Sequence, residues 1–401
     1  PRCRLLCEAH AGCLQKMGLD KSEVKGKNMG IYAGLSGQQQ DWNFMAGGSK
    51  INQYSWSNSS SASTVSRISY SLDLHGPCIS IDTEDSSGLM AVDSAVYGLR
   101  QGRCGEAAFA SSASWIANPF ELVMLCAAGF MSRSGRTRVF DDAMDGFTKG
   151  EGVVTAMLTP RENIDSGKAV LDVSSPLLVG SGVNSKGQSS NLSAPNAFAM
   201  QDVLARASKD AQMPLFIADA VEANASGSRI ADSIELGVLM KALQHEDQEA
   251  QTVPIRSGKA SYGNLGHTSG LVSLARSCLL LDRSLHGPQV HLRQLVDLSG
   301  LGAASCGEER QRLHFLTEVI EARGYRQLVG VSSFGASGSS CHQLVIGEKP
   351  TEQRITRKQR PLTWWPGSKQ KEVNPPLRGY FIVGTWTAWE QCQRMEEESE
   401  G

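Results

Sequence analysis

The apolar positions of this chain follow two spacings. Leu89, Val92, Val96 and Leu99 recur at three- and four-residue steps, the repeat of one helical face. The stretch leading to them, from Cys78 to Gly88, predicts a short buried strand and a tight turn before that helix. Leu236, Leu239, Met240 and Leu243 repeat the helical spacing. There Asp232 and Glu235, three positions apart, resemble a capping-box start. Leu5, Leu6 and Leu14 share another helix-like stretch with Cys3, Cys7 and Cys13, so core packing accounts for those thiols. Strand-like and helix-like segments alternate, which by itself supports an α/β class and nothing finer.

A strand–turn–helix corner lifts one side chain into a cleft at a helix N-terminus, and here that residue is Asp85. A thiol at such a point is activated, because the helix dipole and free N–H groups favour the thiolate. A carboxylate gains the same stabilisation and remains a poor nucleophile. The plain reading of Asp85 is a helix cap. Ser86 sits one residue out of register, with no base in evidence.

Composition narrows the class. The chain has 401 residues, of which 40% are hydrophobic, enough for two fused halves. Its net charge of −2 gives no electrostatic reason to expect nucleic acid or membrane as the main partner. Ten cysteines without a Cys-x-x-Cys pair predict reduced thiols in an intracellular protein, with no metal site. The longest apolar run, Leu271 to Leu281, is interrupted by Arg276, so no membrane span is expected. The basic stretch Arg354, Arg357, Lys358 and Arg360 beside Trp364-Trp365-Pro366 predicts a solvated linker rather than a nucleic-acid site.

A set of motifs in fixed order resembles the β-ketoacyl synthase (ketosynthase) domain of modular polyketide and fatty-acid synthases. They are Ser66 to Tyr70 through Asp82-Thr83, then Phe140-Asp141 with Asp145-Gly146-Phe147 and Gly150-Glu151-Gly152. Val183-Asn184, Gly187 and Ala194-Pro195-Asn196 follow, then Glu222-Ala223-Asn224 with Ser233-Ile234-Glu235. Asn264-Leu265-Gly266-His267 and the glycine-rich Gly330 to Gly335, on to His342, close the set. The resemblance implies an α/β, thiolase-like fold of two similar β/α halves with back-to-back mixed sheets. Residues 1–160 and 161–347 would be the halves, 348–379 a linker, and 380–401 the start of an unidentified β-rich segment. The family's first strand has no counterpart in the chain, which therefore reads as a fragment. No targeting signal is legible, and the expected setting is cytoplasmic or organellar.

The resemblance also places the chemistry. Asp85 stands where the family has its acyl-accepting cysteine, Asn224 where it has the first histidine, and His267 where it has the second. Tyr262 falls at the position of a family lysine. Phe334, Gly335 and Ala336 belong to the closing loop, whose backbone N–H at 336 would form an oxyanion hole with that at 85. With cysteine and first histidine both replaced, the implied function is a synthase-like domain unable to condense, with no cofactor. Its implied partners are acyl carrier protein, acyl thioesters, and a second ketosynthase in a homodimer or heterodimer. The alternatives are a thioester hydrolase or transacylase using Asp85 and His267, or a truncated product without function. An unscreened Asp85 carboxylate would also repel a malonyl carboxylate, by roughly 1 to 4 kcal/mol.

Overall fold

The computed structural model describes residues 2–36, 60–116, 119–165, 176–244, 252–297, 313–322, 324–348, 381–382 and 393–394. Strands β1 (Gly30–Gly34), β2 (Cys78–Ile81), β3 (Ala108–Ser114) and β4 (Gly152–Leu158) make one sheet in the order β2-β1-β3-β4. β1 runs parallel to β2 and β3, and β4 is antiparallel to β3. The second sheet draws on β5 (Leu177–Ser185), β6 (Ala220–Glu222) and β7 (Val253–Arg256). A short pair, β8 (Leu285–His286) with β10 (Ile320–Glu321), stands apart from it. With β9 (Leu313–His314), β11 (Arg326–Phe334) and β12 (Ser339–Glu348), its order is β5-β12-β11-β6-β7-β9.

The two sheets repeat one plan. In each, an antiparallel strand (β4 or β12) borders three parallel ones, β3-β1-β2 or β11-β6-β7. Parallel strands of this kind need both faces covered, so their sequences are mostly apolar or small, and the charged Glu222 of β6 and Arg256 of β7 are buried as a pair. β3 shows how: Ala108 and Ala110 face the central layer while Phe109 and Ala113 face an outer one. The outer helices of the first sheet are Arg2–Lys16 and Ser61–Leu72; those of the second are Ala197–Ala211 and Arg229–Ala242. Between the sheets lie helices Ser87–Arg100 and Ser269–Arg283. Leu89 and Leu271, both fully buried in that layer, each contribute about 2 kcal/mol through lost water contact.

The central helices meet at their N-terminal turns. A Cβ on Gly88 would stand 2.9 Å from that of Leu271, and one on Gly270 would stand 2.8 Å from Leu89 Cγ. Glycine at both points lets the two helix starts, and the loops before them, come together at one place. Residues 85 and 267 precede these helices.

Three expectations are corrected. β2 is not buried: among the described residues it is the outermost strand of its sheet, and Ile79 is 42% exposed. The helix after Asn224 begins at Arg229 with Ser228 at its N-cap, so Asp232 and Glu235 lie inside it. Asp85 does not cap helix Ser87–Arg100; its carboxylate bonds elsewhere. Residues 1–358 form one compact unit and 359–401 another. In the second, Phe381–Ile382 pairs antiparallel with Gln393–Arg394. The linker, Trp364 and Trp365, and the rest of the strand expected from Tyr380 lie outside the described residues. Among the described residues no helix is long and apolar enough to cross a membrane, and no metal-binding cluster occurs.

Candidate active site

The turn after β2 is built by two serines that face inward. Ser86 Oγ donates to the Thr83 carbonyl at 2.8 Å and is fully buried, so it is no displaced nucleophile. Ser87 Oγ accepts from the Thr83 N–H at 2.8 Å and donates to the Glu84 carbonyl at 2.6 Å. Between them the backbone takes a 3-10 turn, Glu84–Ser86, with Glu84 in the left-handed region at φ 55°. That conformation costs a side-chain-bearing residue roughly 1–2 kcal/mol. Its effect is to turn Asp85 outward, onto the floor of a cleft of about 980 Å3.

The Asp85 carboxylate accepts from Asn264 Nδ2 at 3.0 Å, and Lys259 Nζ stands 3.6 Å from the same oxygen. Burial alone would push this carboxyl up. Lys259, then Lys149, Asn264 and His267, outweigh burial and hold it below the usual carboxylate range. Asp85 is thus a paired anion, and the repulsion expected of a lone carboxylate toward a malonyl group is largely offset by Lys259. Lys259 is 2% exposed and opens the short helix Lys259–Tyr262. That helix is fixed from behind by Glu222. Its Oε1 accepts the Gly258 N–H at 2.7 Å, and its Oε2 accepts Arg256 Nε at 2.9 Å and Arg276 at 2.6 Å.

Asn224 follows β6 and lines the same cleft. Its Oδ1 accepts from Lys259 Nζ at 3.1 Å and from the Phe334 N–H at 3.2 Å. Both partners can only donate, so the amide oxygen must face them. The loop carrying it is held by helix Arg229–Ala242. Glu235 accepts the N–H groups of Asn224 and Ala225 at 2.8 and 2.9 Å; Asp232 accepts those of Ser226 and Gly227 at 2.9 and 2.8 Å. Burial pushes Glu235 up to about 7 and Asp232 up to about 6.

His267 enters from the start of the second central helix. Its Nδ1 lies 3.1 Å from the Glu84 carbonyl, which can only accept, so Nδ1 carries a proton. Burial lowers its pKa, against the raising effect of Asp82 and Asp85. The ring is therefore neutral near pH 7, and Nε2 holds a lone pair. Asp82 Oδ1 is 3.9 Å from Nδ1, whereas the hydrogen bonds of Asp85 go to Asn264. Lys149, paired to Glu121 at 2.7 Å, closes the wall beside Gly266.

The closing loop meets the elbow. A Cβ on Gly335 would stand 2.5 Å from the Thr83 carbonyl, so only glycine fits. The Ser337 N–H donates to Glu84 Oε2 at 2.6 Å, and Lys186 Nζ donates to the Ala336 carbonyl at 2.7 Å. Phe334, Gly335 and Ala336 all line the cleft, as do Asp85, Asn224 and His267. Tyr262 is the exception among the expected site residues. Its hydroxyl turns away to Ser273 Oγ at 3.3 Å, and the cationic place beside Asp85 belongs to Lys259, three residues earlier.

Positions from Asp85 to Ala336, brought in by both sheets, thus line one cleft, and two family models match the chain. The Beta-ketoacyl synthase N-terminal domain matches residues 1–163 and its C-terminal domain residues 177–293. The chain belongs to the β-ketoacyl synthase family. Among curated relatives, the erythronolide synthase EryA2 of Saccharopolyspora erythraea is 30% identical over 370 residues, covering 90% of this chain and 10% of that protein. The polyketide synthase PksL of Bacillus subtilis is 26% identical over 366 residues, 89% of this chain and 8% of its own length. The chain thus spans about a tenth or less of the length of these relatives. Among solved structures, the oxazolomycin ketosynthase domain OzmH KS7 of Streptomyces albus superposes with a TM-score of 0.77 at 24% identity, over 89% of this chain and 61% of that one. The module 6 ketosynthase of the bacillaene synthase of Bacillus subtilis gives 0.76 at 23%, over 87% and 60%. At these identities the likeness establishes the fold, which is thiolase-like as expected.

Sequence reasoning missed Lys259, Lys149 and the carboxylates that brace the Asn224 loop. The available signal for Lys259 was its place as the last lysine before the Asn-Leu-Gly-His motif. For Asp232 and Glu235 it was their shared helical face, there read as a helix start.

Proposed function

We propose that this ketosynthase-like domain of a polyketide-synthase system receives acyl thioesters in its cleft without condensing them, and serves as a scaffold or partner of active ketosynthases. The observation that carries this reading is a lysine-paired carboxylate at the point where the family places its nucleophile. A carboxylate attacking a thioester would have to form a mixed anhydride, a more reactive acyl donor than the thioester it replaces, and ion pairing to Lys259 weakens it further. Decarboxylation of a malonyl group is also unsupported. It needs donors on the thioester carbonyl; with His267 Nε2 carrying a lone pair, the donor left at the two histidine positions is the neutral Asn224 amide nitrogen, which cannot carry a positive charge. The hydrolase alternative gains nothing from the geometry, because Asp85 and His267 do not pair with each other.

The test is intact-protein mass after incubation with an acyl thioester, for the natural chain and for Asp85→Cys. The natural chain should gain no mass, and the variant should gain one acyl group. A stable adduct on the natural chain, or appreciable malonyl turnover, would end this reading. The partner role rests on β2, whose outer edge is bordered by no strand among the described residues and which exposes Ile79 beside Cys78. An open edge of this kind invites pairing with a second chain. Ile79→Lys should therefore shift the sedimentation of the natural chain from dimer to monomer; a natural chain that already sediments as a monomer would refute self-pairing.

A further inference from the structure

We infer that Lys259 is the fixed counter-ion of position 85, holding an acidic side chain there in its anionic form, and that it couples the replacements at 85 and 224. This stands whether or not the cleft takes an acyl thioester, since no acyl donor enters its test.

The geometry isolates an ammonium group in a place where it must have partners. Lys259 is 2% exposed, and its Nζ touches Asn224 Oδ1 at 3.1 Å and approaches Asp85 Oδ2 at 3.6 Å. A buried cation without a facing anion is strongly destabilising. Two other carboxylates lie near it, Asp232 and Glu235, but each already accepts two backbone N–H groups from the 224–227 loop. Lys149 and His267 face Asp85 from the other walls, and Lys149 is itself paired with Glu121. Asp85 is therefore the anion that Lys259 meets across the cleft floor.

The same ammonium explains why an amide suits position 224. One oxygen with two lone pairs serves two donors there, Lys259 Nζ and the Phe334 N–H. An imidazole nitrogen has one lone pair and would serve only one of them. The lysine is held in register by the Gly258 N–H bond to Glu222, which also fixes the end of β7 through Arg256. Lys259 acts as a positioning and charge-setting residue, and its counter-charge is independent of what chemistry position 85 performs.

A thiol placed at 85 reads this field directly. In the full chain carrying Asp85→Cys, the rate of iodoacetamide modification of the peptide containing position 85 is followed by mass spectrometry from pH 6 to 9. The introduced thiol should react as a thiolate well below the ordinary cysteine value of about 8.5. Adding Lys259→Met should slow the reaction at pH 7 by about tenfold or more, and Lys259→Arg should retain most of the rate. Equal rates with and without Lys259 would overturn the inference. Cys341, fully buried, stays unmodified while the chain is folded and so reports any unfolding. A second measurement needs no thiol: urea unfolding of Asp85→Asn, Lys259→Met and the double variant. Lys259→Met should lower the midpoint less in the Asp85→Asn background than in the natural chain, and strict additivity would also overturn the inference.

Discussion

Asn264 makes three side-chain hydrogen bonds at once. It donates to Asp85 at 3.0 Å, and its oxygen accepts the Gly266 N–H at 2.8 Å and Ser269 Oγ at 2.9 Å. Its backbone also bonds to Thr148 and Gly150 on either side of Lys149, so one residue joins the anion, the His267 turn and the cationic wall. Asn264→Ala should therefore cost about 2–4 kcal/mol in urea unfolding, the sum of bonds lost and a buried N–H left unpaired. A cost below about 1 kcal/mol would show that neighbours take over these bonds. At this scale the sequence showed which residue types occupy the motif positions, Asp85 and Asn224 among them. It did not show Lys259, because the rotation of a four-residue helix decides which side chain points inward. That rotation is set by Glu222, 36 residues away from the N–H it accepts.

Helix Arg229–Ala242 does more for the site than fill the core. Asp232 and Glu235, three residues apart on one face, receive four successive backbone N–H groups of the loop that carries Asn224. The helix thus caps a loop with its side chains rather than capping itself. Glu235→Ala would leave the Asn224 and Ala225 N–H groups unpaired in a buried setting, and should destabilise the chain by about 2–4 kcal/mol. Glu235→Gln, which keeps one acceptor, should recover part of that loss in the same denaturation measurement. If Glu235→Ala left the urea midpoint unchanged, the loop would be held by something else. The spacing of these acids was legible in the sequence. Their partners were not, since a three-residue step of acids marks a helix start as readily as a buried clamp.

The folding of the whole chain is linked to pH through rings it buries. His342 on β12 is fully buried, and burial lowers it to about 3. Unfolded, it takes a proton below about pH 6.5 that the folded chain refuses, so its contribution falls as pH falls from there toward 3. Acidifying from pH 7 to 5 should cost about 2 kcal/mol through this ring alone. The variant His342→Asn keeps a polar group near Ser332 Oγ, to which the ring bonds at 2.9 Å, and removes the titration. Its stability should fall less than that of the natural chain over pH 7 to 5, by about that amount. Parallel pH curves for the two would mean the ring is protonated in the folded state.

Apolar spacing, which the sequence carries openly, determined the α/β class; motif order determined the family and the position of the odd carboxylate at residue 85, and the two-half plan followed from the resemblance. These are local signals, because a turn, a helical face or a glycine contact is written within a few neighbouring residues. The tertiary structure alone decided how that carboxylate is used. It brought Lys259 and Asn264 to Asp85, the latter from 179 residues away, turning an expected helix cap into a partnered ion. It also placed β2 at a sheet edge, where the apolar pattern had suggested a core strand. Which charge faces which, and which strand lies outermost, depend on packing between distant segments, and no single segment records its neighbours.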